Sequence, residues 1–230
     1  MSDGFPNRPK ILRGAFVEFG LSLPPLLVAF QFNPLELTRN RSLAFSFPGA
    51  AADGSGRSLR DFHGEVSDLR KLQKQQVTRV QEQTIGFAIR LDATDGLDDG
   101  DTLTEQFGVA PRLATLEQLV QPKSESLLGE LTGLLSAKAQ PFSFTRGPNP
   151  PLVLFVFGRK RVLPVNINSL NITETEFSTD LNPIRATVAV SLSVIEGRNV
   201  PYLYSKAMTE AMSVLNLATV GDVQNVVLPG

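Results

Sequence analysis

The sequence predicts an α+β fold that is mainly β: an antiparallel sheet of about seven strands, large enough to curl into a barrel, with an inserted helical segment and a C-terminal helix. Two observations predict the sheet. Apolar residues alternate through 163–177, where Val165 and Ile167 and then, after Ser169, Leu170 and Ile172 form one ribbon. They alternate again through 184–196, where Ile184, Ala186, Val188, Val190, Leu192 and Val194 oppose Arg185, Thr187, Ser191 and Ser193. Successive side chains of a strand point to opposite faces, so alternation this long means half-buried strands. A third observation predicts the helices: Leu113, Leu116, Leu119 and Val120, and later Leu203, Ala207, Ala211, Val214 and Leu215, recur at helical spacing.

In chain order, residues 1–9 are polar and read as a loose arm. Residues 10–20 form the first strand, with Ala15, Val17 and Phe19 on one face. Residues 26–32 form a short second strand, ended by the turn signal Asn33-Pro34. Residues 37–47 alternate once more through Leu43, Phe45 and Phe47, so the first 47 residues read as a β-meander. Residues 48–76 form a flexible excursion. It begins Gly-rich and then carries weak helical spacing at Leu59, Phe62, Val66, Leu69 and Leu72. Residues 77–91 return to alternation, with Ile85, Phe87, Ile89 and Leu91 on one face. Residues 92–140 are the helical insertion, in which Pro111 suits a first helical turn and 124–136 is a second apolar stretch. Strands resume at 152–157, turn at Gly158-Arg159 and continue to Phe177; a second turn through 178–183 leads to the last strand. This organisation makes 1–200 one β domain and 201–230 a helix and tail.

Composition removes several function classes. The chain has no cysteine, which excludes disulfides, thiolate catalysis and Cys-ligated metals. Its net charge of −1 gives no general pull toward nucleic acid or an acidic membrane. The first ten residues carry no apolar signal region, and the longest apolar run, Pro24 to Phe30, is far short of the ~20 residues that span a membrane. The expectation is a protein made in the cytoplasm, with no nucleic-acid partner and no direct membrane insertion.

Candidate chemistry is sparse. Asp92, Asp95, Asp98, Asp99 and Asp101, with glycines at 96 and 100, are suitable materials for a calcium loop. Their spacing departs from the EF-hand, and the preferred reading is a solvated turn whose Asp residues cap the next helix. His63, the one histidine, stands between Asp61 and Glu65, but no third orienting group is evident. Gly158 to Arg161 is a compact basic turn, read first as a soluble hairpin tip and second as an anion contact. No GxSxG, Walker or GxGxxG motif is present. An enzyme is therefore not expected, and no catalytic, cofactor-binding or metal-ligating residue is assigned. A stand-alone ligand- or partner-binding module using the loop 92–101 is the alternative reading.

Several segments carry a family resemblance: Phe30 to Pro34 (FQFNP) with Glu36-Leu37 and Arg39 to Ser42; Leu91 to Asp95 (LDATD) followed by Gly108 to Pro122; Pro150-Pro151 with Leu154 to Gly158; Leu170 to Phe177 (LNITETEF); and Leu181 to Ala186 (LNPIRA). In this order and spacing, over most of 10–200, the chain resembles the tube-initiator or baseplate adaptor proteins of extracellular contractile injection systems, which are phage-tail-like particles. The resemblance implies a tail-tube-like fold, a curved sheet or small barrel with a helix. It implies a hexameric ring that joins the inner tube to the spike and baseplate and templates tube assembly. The implied partners are other copies of the chain, the inner tube protein, the spike protein and baseplate subunits; no cofactor is implied. The particle is then released or membrane-anchored. Phe157 stands where the family often has Trp, and residues 201–230 do not read as the LysM module that many members carry. A ring subunit needs sheet edges that pair with neighbours, and the Arg185, Thr187, Ser191 and Ser193 face suits a hydrophilic channel.

Overall fold

A computed structural model of the chain describes residues 12–20, 26–50, 56–122 and 149–216. The N-terminal arm, the apolar stretch 124–136 and the tail after 216 lie outside the described residues. The fold is α+β and mainly β. Two compact units make up the chain: Arg39–Thr84, and the remainder on either side of it.

The larger unit is built on a seven-stranded sheet. Its strands are β1 (Ala15–Glu18), β2 (Leu27–Ala29), β3 (Leu37–Asn40), β6 (Thr84–Asp92), β7 (Val153–Val156), β8 (Val162–Phe177) and β9 (Pro183–Val194), in the spatial order β2-β1-β7-β8-β9-β6-β3. The paired registers β1–β2, β1–β7, β7–β8 and β8–β9 are all antiparallel. The smaller unit holds β4 (Leu43–Ser46) paired with β5 (Val77–Val80), and the helices α1 (Leu59–Glu65) and α2 (Leu69–Gln75). Between β6 and β7 lie α3 (Thr94–Asp98), α4 (Thr102–Phe107) and α5 (Ala110–Gln118); α6 (Val200–Asn216) follows β9.

The sheet curls toward its apolar face. Strands of a flat sheet are ~4.8 Å apart, so β7 and β6, three steps removed, would lie ~14 Å apart. Instead the rings of Phe155 on β7 and Phe87 on β6 stack with centroids 5.2 Å apart. Phe16 on β1 and Phe30 after β2 complete the cluster, edge to face at 5.2 Å from each other and 6.0 and 5.7 Å from Phe87. Four aromatic rings in mutual contact form a large apolar centre that only a curled sheet can enclose. The sheet stays open: β2 and β3 are its two edge strands, so it does not close into a barrel.

The core face of β9 runs as the alternation predicts, with Ala186, Val188, Val190, Leu192 and Val194 buried. On β8 the apolar ribbon changes parity because the pairing skips Asn168, between Ile167↔Leu192 and Ser169↔Ser191. One extra residue reverses which side chains face the core, so Leu170 and Ile172 continue the ribbon of Val165 and Ile167. Ile85, Phe87, Ile89 and Leu91 of β6 are buried as expected. Leu113, Leu116 and Leu119 are also buried, Pro111 sits in the first turn of α5, and α5 packs against β2.

Four expectations change. The face of Ala15, Val17 and Phe19 is the outer one; the core takes Phe16, and buried Glu18 accepts the Leu26 N–H at 3.1 Å. The run 37–47 breaks at Arg41-Ser42 into β3 and β4, which enter different sheets. The run 77–91 breaks at 81–83 into β5 and β6. The first 47 residues are consequently not a meander, because β3 lies at the opposite sheet edge from β2. Arg39 and Arg41 in the first run and Arg79, Gln81 and Gln83 in the second interrupt the apolar positions around the breaks, and alternation alone does not name a strand's partner. In 48–76 the weak helical spacing divides at Val66, since Asp68 caps α2 through the Arg70 N–H, and only Phe62 of that spacing is buried.

Candidate functional site

The outer face of the β8–β9 hairpin is the most extended regular surface of the larger unit. Cross-strand pairs there are Asn166 with Ser193, Ser169 with Ser191, Asn171 with Ala189, Thr173 with Thr187 and Thr175 with Arg185. Apart from Ala189, hydroxyl and amide side chains fill it, and Arg185 is its one charge along these pairs. Such a face is hydrated without a net field. The bulge residue Asn168 adds a bond from its amide to the Ser193 hydroxyl at 2.8 Å. Arg185, Thr187, Ser191 and Ser193 are exposed or half-buried, so they are not packed in a dry core.

The far end of this face is tied down by a polar joint. Arg185 donates to Asp92 Oδ2 at 2.8 Å and to Glu176 Oε1 at 2.7 Å, bridging the end of β6 to the end of β8. Asp92 Oδ1 accepts from the Thr94 backbone N–H at 2.8 Å and from the Thr94 hydroxyl. Burial pushes the Asp92 carboxyl up, but the bonds from Thr94 and the guanidinium of Arg185 together hold it below the usual carboxylate range. The same contacts, with Asp92 ahead of Glu176, raise Arg185 above its ordinary value.

Gln31 and Asn33 complete the joint by imitating a strand. The Gln31 amide donates to the Asp92 carbonyl at 2.7 Å and accepts the Asp92 N–H at 2.9 Å. Arg112 of α5 donates to the same Gln31 oxygen at 2.8 Å. The Asn33 amide donates to the Leu12 carbonyl at 2.9 Å and accepts the Gly14 N–H at 2.8 Å. β2 and β6 are five strands apart in the sheet order, ~24 Å if flat, so Gln31 fastens the curl. On the other side of β6, Ala93 N–H donates to Ile184 O at 2.9 Å and Val109 N–H to Pro183 O at 2.9 Å. Gly108 has φ +56 and lies so near Pro183 that an added Cβ would stand 2.1 Å from its carbonyl oxygen. Only glycine fits there. The segments FQFNP, LDATD, GVAPR and LNPIRA, scattered in sequence, therefore meet at one joint. A cleft of about 790 Å³ opens beside it, lined among others by Phe32, Pro34, Leu35, Arg90, Arg185 and Thr187.

Comparison with protein-family models finds no matching family, and comparison with curated proteins finds no match.

The other candidate residues are placed as follows. Asp101 caps α4, accepting the Thr104 N–H at 3.2 Å, as the capping reading expects. Its bonds from the Thr104 hydroxyl and N–H hold its carboxyl below the usual range. Asp92 is committed to Thr94 and Arg185. Among the described residues, no three His, Cys, Asp or Glu side chains converge as a metal site. In the smaller unit His63 meets Gln76 at 2.8 Å, Asp61 accepts from Ser58, and Glu65 pairs with Arg57, so neither His–carboxylate pair is formed. The basic turn is partly covered by α6: Tyr204 donates to Arg159 O at 2.8 Å, and Ser205 donates to Val162 O at 2.6 Å and accepts its N–H at 2.9 Å. Arg161 lies over Phe157, 5.6 Å from the ring centroid, and Phe157 stacks on Phe155. Sequence reasoning missed Gln31, Asn33 and Arg112 as joint residues, although the FQFNP motif contained the first two. No helix among the described residues is long and apolar enough to cross a membrane.

Proposed function

We propose that this chain is a structural component of a phage-tail-like contractile injection system. In this reading it forms a hexameric ring that joins the inner tube to the spike and baseplate and templates tube assembly. One observation carries the reading: a long hairpin with an aliphatic core face and a nearly uncharged polar outer face. A channel wall needs that pairing of faces, one to pack the subunit and one to hold water along a lumen. The open curled sheet supports it further, since edge strands β2 and β3 leave backbone donors and acceptors for neighbours. Its mechanism is templating: the ring offers a rim on which tube subunits stack, and no covalent chemistry is involved.

Affinity isolation of the tagged protein from its native host, followed by negative-stain electron microscopy, tests the reading. Rod-shaped particles tagged at the spike end of the tube are the expected result. A lone small protein without particles in any growth condition sinks it.

A further inference from the structure

The neighbour of β6 at the sheet edge is shorter than β6 itself: β3 has four residues and β6 has nine. Arg41, just past β3, donates to Gln83, just before β6, at 3.2 Å, so β3 runs antiparallel to β6 from that end. Counted residue for residue from there, β3 runs out opposite Phe87. At the other end of β6 the Asp92 N–H and carbonyl are taken by the Gln31 amide. Between these two points residues 32–36 swing away, and among the described residues they make no backbone bond to β6. The detour is pinned: Gln31 holds its start at Asp92, Asn33 turns its amide to Leu12 and Gly14, and Pro34 has no N–H to offer.

Both backbone groups of a residue in an antiparallel strand point to the same neighbour, and the next residue points to the opposite one. The Ala93 N–H bonds Ile184 of β9, while Asp92 points the other way, to Gln31. Ala88 and Arg90 share the direction of Asp92, so their N–H and carbonyl groups face the place that residues 32–36 leave vacant. The cleft of about 790 Å³ is that vacancy. It touches core-facing Phe87 and Leu91 and outward-facing Ala88 and Arg90 alike, as a gap along a strand edge does. We propose that this gap receives an extended peptide segment of another protein, which pairs with β6 at Ala88 and Arg90 and completes the sheet there. The Arg90 guanidinium has no partner among the described residues, whereas Arg185 is committed to Asp92 and Glu176. One acidic residue opposite Arg90 supplies the missing charge. Glu36 also lines the cleft without a partner among the described residues, so it disfavours a longer run of acidic residues. Phe32 and Leu35, exposed in the same lining, suit apolar residues beside the acid. A Cβ added to Gly86 meets nothing nearer than Val190 O at 3.9 Å, so neither a turn nor a clash requires a glycine there. A glycine inside a strand on such terms fits the close approach of another backbone. The site involves only β6 and residues 32–36 and does not depend on the ring reading.

Nuclear magnetic resonance of the isotope-labelled full chain tests the proposal. The probe is a blocked pentapeptide of valine and threonine with a central aspartate. Exchange of the Arg90 amide is expected to be fast in the free chain, beside slow exchange at Phe87 and Leu91, and to slow when the peptide is added. A central lysine weakens binding by about fivefold or more, and N-methylation of the central aspartate, which deletes its donor, by about tenfold or more. Arg90 is exposed, so Arg90→Gln keeps the fold; it removes the preference for aspartate over lysine. An Arg90 amide already protected in the free chain overturns the proposal, because the chain itself or a second copy then fills the gap. A peptide that binds without protecting Arg90, or that binds as well with a lysine or an N-methylated centre, overturns it too. So does the absence of binding at millimolar peptide.

Discussion

Gln31 and Asn33 perform at single positions what a strand performs over several. A primary amide carries a donor and an acceptor in the geometry of a peptide unit, so each side chain pairs with both backbone groups of a neighbouring segment. Gln31 does so with Asp92, and Asn33 with Leu12 and Gly14. Replacing Gln31 by Leu keeps the bulk and leaves the Asp92 N–H and carbonyl and the Arg112 guanidinium without that partner. Removing one partner of a part-buried bond costs about 1–3 kcal/mol. Urea unfolding of Gln31→Leu is expected to give a loss in that range; no change in the midpoint would mean water replaces the amide without penalty.

At the scale of elements, α6 is attached through half-buried Tyr202, which packs against the core, and through a small polar contact. Ser205 is the one fully buried residue of this helix among the described residues, and its hydroxyl both accepts the Val162 N–H and donates to the Val162 carbonyl. The remaining length of the helix is largely exposed. Ser205→Ala leaves two backbone groups at the start of β8 unpaired, at a cost of about 1–3 kcal/mol. That cost falls on the docking of α6 rather than on the aromatic core, because local units open separately from the global fold. Limited proteolysis is expected to release α6 faster from Ser205→Ala while the sheet stays protected. Simultaneous digestion of helix and sheet would refute independent docking.

For the whole molecule, stability depends on the ionised joint. Asp92 has a folded-state pKa below its unfolded value, so its contribution is present above the unfolded value of ~3.9 and is lost as pH falls through the folded one. Asp101 acts in the same direction. The wild type is expected to melt above Asp92→Asn at about pH 6, and the gap should shrink toward zero by about pH 2. A gap that stays constant across this range would show that the charge of Asp92 is not what fastens β6 to β8. Neutral pH is therefore the condition under which the curl is held from both ends, by Gln31 and by Arg185.

Reading the sequence alone determined the long strands β8 and β9, the buried face of β6, the helical character of the described part of the 92–140 insertion, and the terminal helix. Each is written in local periodicity, and a period of two or 3.6 residues needs no distant partner to be visible. Even the bulge near Asn168 was legible, as the change of parity between Ile167 and Leu170. Only the tertiary structure decided which strands pair, where 37–47 and 77–91 divide, and that Phe16 rather than Val17 faces the core. The joint of Gln31, Asp92, Arg112 and Arg185 was likewise invisible in one dimension, although its motifs were visible singly. Its bonds link residues 61 to 93 positions apart. Contacts of that separation are fixed by the curl of the sheet around its four phenylalanines, which no local pattern encodes.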